Sequence, residues 1–113
     1  MRSQMRQPNW TERLLYLLGR RIAFLVQGDS MAPALSDGDT VLIDPRAAIA
    51  VGDIVLADHP YKSSVTILKR VSGIEADGRV SLIGDNDTES TDSRTFGPVS
   101  IKSIVGRVEC RLN

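Results

Sequence analysis

Apolar and polar positions change their rhythm at about residue 22 of this chain. Before that point, Trp10, Leu14, Leu15, Leu17 and Leu18 recur at helical spacing. With Thr11 or Asn9 as cap, they predict a short amphipathic helix over 10–21. After it the apolar runs are short, rich in Val and Ile, and broken by Gly, Pro, Asp and Asn. That texture predicts a mainly β domain, a small barrel or sandwich, and excludes a βαβ fold. Strands are expected near 22–27, 40–44, 53–58, 65–75, 79–84 and 103–111. Asp37-Gly38, Asp44-Pro45, His59-Pro60 and Asp77-Gly78 supply the joins, the last as a tight hairpin. Residues 85–95 are polar and read as a loop. No repeat or linker divides the chain, so the expected organisation is a basic segment over 1–21 followed by one β domain over 22–113.

Length supports that division. A chain of 113 residues removes roughly two-thirds of its unfolded surface from water, enough for one core and too little for two. The charges cancel, with 14 Lys+Arg against 14 Asp+Glu, which removes generic attraction to nucleic acid. They are unevenly placed, however: Arg2, Arg6, Arg13, Arg20 and Arg21 face only Glu12 in the first 21 residues. Such a segment suits an acidic partner or an anionic lipid surface, or simply a solvated helix. The apolar run from Leu14 stops at Arg20 and Arg21, short of the ~20 residues that span a bilayer. No transmembrane segment or secretory leader is expected, and the predicted compartment is the cytoplasm. A single Cys110 and a single His59 offer no zinc cluster, so neither metal nor cofactor is expected.

Three segments carry candidate chemistry. The first is QGDSMAPALSDGD, residues 27–39, directly after an apolar strand. Ser30, preceded by Gly28 and followed by a turn containing Pro33, projects a hydroxyl from a fixed backbone whose neighbouring N–H groups suit an oxyanion hole. Serine is a weak nucleophile without a base, and His59 and Lys69 are the candidates. The second segment is VTILKRVS. Alternation puts Val65, Ile67, Lys69 and Val71 on one strand face, with Thr66, Leu68, Arg70 and Ser72 on the other. An amine among Val and Ile is poorly solvated, its pKa falls, and the neutral form is a usable general base. The alternative is a rim lysine whose head reaches water. His59 sits in an HPY turn with no acid placed by spacing to orient it. The third segment is GDNDTESTDSRTFG, residues 84–97, where Ser90 can hydrogen-bond the amine and Asp92 with Arg94 can brace the loop.

In this order, GDSMAPALSDGDTVLID, VGDIVLA, ILKRVSG and GDNDTESTDSRTFGPV resemble the boxes of the type I signal peptidase family of Ser/Lys proteases, over roughly residues 26–107. The resemblance implies a β-rich catalytic core, Ser30 as nucleophile and Lys69 as general base. It also implies Ser90 as the hydroxyl that orients the lysine, with Asp92 and Arg94 as a structural pair. Gly28 stands where many members carry a serine that donates to the oxyanion, and Asp87 stands where the GDN box commonly continues with Arg. Neither the family's membrane anchor nor its large insertion before the last box is expected from this sequence. In these respects the chain is similar to the short, soluble branch that matures nickel-type superoxide dismutase. That likeness implies a precursor protein with an extended N-terminus as substrate, namely the dismutase precursor. The competing expectations are a peripheral-membrane signal-peptidase-like enzyme, and a self-cleaving or non-catalytic peptide-binding β module of the repressor type.

Overall fold

The computed structural model describes residues 10, 19–86 and 96–112. The 11–18 part of the expected N-terminal helix lies outside them. So do Ser90, Asp92 and Arg94 of the polar loop.

Among the described residues, six strands form one antiparallel sheet: β1 (Ile22–Leu25), β2 (Thr40–Asp44), β3 (Ile54–Asp58), β4 (Thr66–Ile74), β5 (Val80–Ile83) and β6 (Ile104–Arg111). A short 3-10 turn, Ile101–Ser103, leads into β6. The small mainly β fold expected from the sequence is therefore the one observed, and each strand lies within about two residues of its expected position. The turn residues explain this agreement. Gly38 and Gly78 both take positive φ, 91° and 88°, a region that glycine enters without steric cost. At the β4–β5 turn the Asp77 carboxylate accepts the Arg79 backbone N–H at 3.1 Å and its Nε at 2.8 Å.

The strand order is β1-β2-β6-β3-β4-β5. The last strand in sequence thus lies inside the sheet, joining β1–β2 to β3–β4–β5. Both faces are covered. One carries Val41, Ile43, Ile54, Leu56, Leu68 and Val108 together with Met31, Ala34 and Leu35 from the segment after β1. The other carries Val55, Ala57, Val71, Val80, Leu82 and Val99. Burial on both sides is why the strands read as short apolar runs and only weakly as alternation.

Gly106 makes the central position of β6 possible. A Cβ there would stand 2.6 Å from the Asp44 carbonyl oxygen and 2.6 Å from Ile43 Cγ2, so β2 and β6 approach only because the side chain is missing. Gly106→Ala is expected to cost about 1–3 kcal/mol of stability by overpacking, read as a lower urea midpoint. An unchanged midpoint would show that β2 moves aside without cost.

Candidate functional site

The segment between β1 and β2 is fastened at both ends and in the middle. Val26 N–H donates to the Asp39 carbonyl at 2.8 Å and Gly38 N–H to the Val26 carbonyl at 2.9 Å, closing the neck. Gly28, with φ +80°, turns the chain, and its N–H donates to Asp37 Oδ1 at 2.7 Å. Asp29 Oδ1 accepts the Asp37 N–H at 3.2 Å. Beyond the turn, Met31 and Leu35 are buried in the first core cluster. Ser30 is therefore held between a carboxylate-braced turn and a side chain anchored in the core.

A third restraint comes from the end of β5. Asn86 N–H donates to the Ser30 carbonyl at 2.9 Å, and Asn86 Nδ2 donates to the Asp29 carbonyl at 3.1 Å. Its neighbour Asp85 takes a two-point contact from Arg70, Nε to Oδ1 at 2.9 Å and Nη2 to Oδ2 at 2.8 Å. Arg70 Nη1 also donates to the Gly52 carbonyl at 2.7 Å. Hydrogen bonding to Asp85 is the main cause that raises the Arg70 pKa above the ordinary arginine value. Arg70 directly follows Lys69. The strand that carries the lysine and the turn that carries the serine are thus linked through one arginine, one aspartate and one asparagine.

Lys69 is only 4% exposed. It stands opposite Val55 on β3, while Ile67 stands opposite Ala57. These neighbours and Val71 belong to the second apolar cluster, so the expected apolar face is the observed one. The rim alternative, with the lysine head in water, does not match this depth. Ser30 and Lys69 line the same cleft, of ≈ 530 Å³, between Phe24–Gln27 on one side and Ser64–Lys69 on the other.

Both walls of this cleft are strand edges. Among the described residues β1 pairs only with β2. On β4, Thr66 to Lys69 pair with β3, but pairing with β5 begins at Arg70. Among the described residues, no further strand lies beside these two extended segments, which flank the serine and the lysine. Leu25 and Val65, 53% and 40% exposed, give the rim an apolar character. The site accordingly offers backbone pairing to an extended chain, with a hydroxyl and an amine alongside.

His59 is not among the residues that line the cleft. Its Nδ1 accepts the N–H groups of Tyr61 and Lys62, both at 3.1 Å, so that lone pair is committed to the turn it occupies. Sequence reasoning missed the Arg70–Asp85–Asn86 link and looked for bracing at Asp92 and Arg94. A signal existed: a strict two-residue hairpin at Asp77-Gly78 would set Arg70 directly opposite Asp85. The β4–β5 register slips near Val71 and Gly73 and places Arg70 opposite Ile83. The guanidinium still reaches the carboxylate along the strand.

Comparison with known proteins agrees with this architecture. The Peptidase S24-like family matches residues 6–108. Mitochondrial inner membrane protease subunit 1 of Xenopus tropicalis is 37% identical over 111 residues, which take in 78% of this chain and 66% of that protein. The subunit 1 of Schizosaccharomyces pombe is 32% identical over 78% of this chain and 71% of its own length. The subunit 2 of Danio rerio is 34% identical over 77% of this chain and 62% of its own length. The chain spans about two-thirds of the length of these relatives. Their names place them at a membrane, which overturns the expected cytoplasmic location. That expectation rested on the lack of a long apolar run. Among the described residues no helix is long and apolar enough to cross a membrane, but this does not separate a protein from a membrane surface. The family match over nearly the whole chain, on a fold that brings the serine and lysine boxes to one cleft, makes this protein a member of the Peptidase S24-like family.

Proposed function

We propose that the protein is a signal-peptidase-like serine endopeptidase that cuts an extended segment of a precursor protein at a membrane surface, with Ser30 and Lys69 as its catalytic dyad. The observation that carries this reading is that a serine on a three-point-fixed turn and a buried lysine line one cleft walled by two open strand edges. The names of the relatives favour the membrane alternative and lend no support to the nickel superoxide dismutase precursor as substrate.

In the proposed reaction the substrate enters extended, adding backbone hydrogen bonds to β1 on one side and to the first half of β4 on the other. Neutral Lys69 accepts the Ser30 hydroxyl proton as Oγ bonds to the scissile carbonyl carbon. Backbone N–H groups of the serine turn, that of Ser30 among them, hold the oxyanion. Gly28 serves by its positive φ, because its N–H is used by Asp37. The lysine ammonium then gives its proton to the leaving amine as the C–N bond breaks. Water next loses a proton to the amine, attacks the acyl ester, and releases the acid as the proton returns to Ser30 Oγ. This Ser/Lys scheme is a variant of triad logic and requires neither histidine nor metal. By resemblance, Ser90 orients the amine, and Asp92 with Arg94 braces the loop.

Burial disfavours the ammonium form of a lysine, which is what a base near neutral pH needs. On a peptide substrate, Ser30→Ala and Lys69→Met are each expected to lower kcat on the order of 10⁴-fold or more while the circular dichroism spectrum is retained. His59→Ala should keep most of the activity, and the reverse pattern would overturn the assignment. Activity should fall as the pH drops through the lysine pKa, because the ammonium accepts no proton. That midpoint is expected well below the ~10.4 of free lysine; a profile that rises only above it would remove Lys69 as the base.

Arg70 acts on the reaction through other residues, so its effect should fall on kcat more than on KM. Arg70→Met is expected to reduce kcat between about ten- and a hundredfold by letting the Ser30 turn shift. Arg70→Lys should restore only part of the loss, since an ammonium lacks the two-point fit to Asp85. Equal activity of all three proteins would show that the turn holds its place without the link.

A further inference from the structure

A second cleft, of ≈ 290 Å³, lies at the other end of β1 and is lined by Gly19, Arg20, Arg21, Asp44, Pro45 and Arg46. Its single carboxylate is already engaged. Arg21 Nη1 stands 3.6 Å from Asp44 Oδ2, the Arg46 backbone N–H donates to Asp44 Oδ1 at 2.9 Å, and Arg107 lies opposite Asp44 on β6. Arg21 Nη1 also donates to the Arg20 carbonyl at 3.0 Å, which holds that side chain back along the wall. The guanidinium groups of Arg20 and Arg46 form no ion pair among the described residues. Among the described residues, two cations without an acidic partner therefore stand at a cleft with room for a phosphate group.

The surroundings select among phosphate sources. Ile22, the first residue of the strand that leaves this cleft, is 42% exposed. Arginines beside an exposed aliphatic side chain match the boundary between lipid headgroups and acyl chains. The chain has zero net charge, so no general basic field accounts for the cluster. Only Ile22 and Ala23 lie between Arg21 of this cleft and Phe24, which lines the cleft that holds Ser30, a span of roughly 10 Å from Arg21 to Phe24. A headgroup bound here would therefore sit at the other end of the short strand that walls the proposed substrate cleft.

We propose that Arg20, Arg21 and Arg46 form a binding site for the phosphate of an anionic lipid headgroup, which docks the open end of β1 on the bilayer. This inference rests on the membrane reading given above, and the experiment separates the two. The full chain is sedimented with phosphatidylcholine vesicles and with vesicles that also contain phosphatidylglycerol, at one ionic strength. Selective binding to the anionic vesicles is expected. The double variant Arg20→Gln, Arg46→Gln should weaken it roughly thirtyfold, at about fivefold per arginine removed. A charge-matched control, Arg79→Gln with Lys102→Gln, should change it far less. Equal losses in the two variants, or no preference for anionic vesicles, would overturn the site. Stabilisation of the protein by inorganic phosphate that is lost in the double variant, without vesicle binding, would assign the cleft to the free ion and overturn the lipid source. Cleavage of a soluble peptide by the double variant should equal wild type. A chain that binds vesicles as expected but cleaves nothing would sink the proposed function and leave the lipid site standing, whereas the opposite result would do the reverse.

Discussion

The position of Ser30 depends on its own carbonyl. That oxygen accepts the Asn86 N–H, and Asn86 follows the aspartate that Arg70 grips at two points. The β1–β2 turn and the β4–β5 hairpin are far apart in sequence and meet through these few bonds. Backbone groups that are hydrogen-bonded in a partly buried turn cannot drift without leaving a donor or acceptor unsatisfied, a cost of about 1–3 kcal/mol. The core adds a complementary restraint through Met31 and Leu35, both essentially without exposure. A hydroxyl set between a core anchor and a hydrogen-bonded clamp has little freedom, and a nucleophile that is positioned before substrate arrives needs little freedom.

Most of the sheet was legible because its punctuation is local. Gly38 and Gly78 take the backbone region that their turns require, and the Val- and Ile-rich runs between such signals became strands. Strand order was less legible. β6 pairs with both β2 and β3, and its place inside the sheet depends on a close approach at Gly106 that only coordinates display. The apolar face of Lys69 could be read from alternation, since Ile67 and Val71 flank it at two-residue spacing. The partners of Arg70 could not. A register slip between Val71 and Gly73 lies between the arginine and a simple reading of the hairpin, and the third hydrogen bond goes to the carbonyl of Gly52, on the loop before β3. The mistaken compartment had another origin. A count of apolar residues tests whether a segment crosses a bilayer, whereas adsorption to one depends on where a few arginines and aliphatic side chains stand on the folded surface.

The open edges of β1 and β4 would ordinarily be a liability, since unpaired strand edges recruit other chains. Here the liability is confined. β1 has only four residues, and the open part of β4 ends where β5 joins at Arg70. A short open edge pairs with one extended segment and lacks the length to template a second sheet. The same Arg70 that begins the β5 pairing also grips Asp85, so the closed part of β4 and the support of the Ser30 turn start at one residue.

The depth of Lys69 bears on what kind of residue it is. A domain of this size retains only about 5–15 kcal/mol of net stability, and an ammonium withdrawn from water costs several kcal/mol unless its environment is strongly polar. Val55, Ile67 and Val71, its neighbours on that face, are apolar. A neutral amine avoids most of the cost, because a single hydrogen bond satisfies it. Under the proposed function, folding and base chemistry would favour the same protonation state at this position. The chain has two other lysines, Lys62 and Lys102, and both are exposed; neither position provides that coincidence. A buried lysine that served packing alone could be replaced by leucine or methionine with gain in stability. If Lys69→Met proves more stable as well as inactive, stability will have been given up at this position for reactivity.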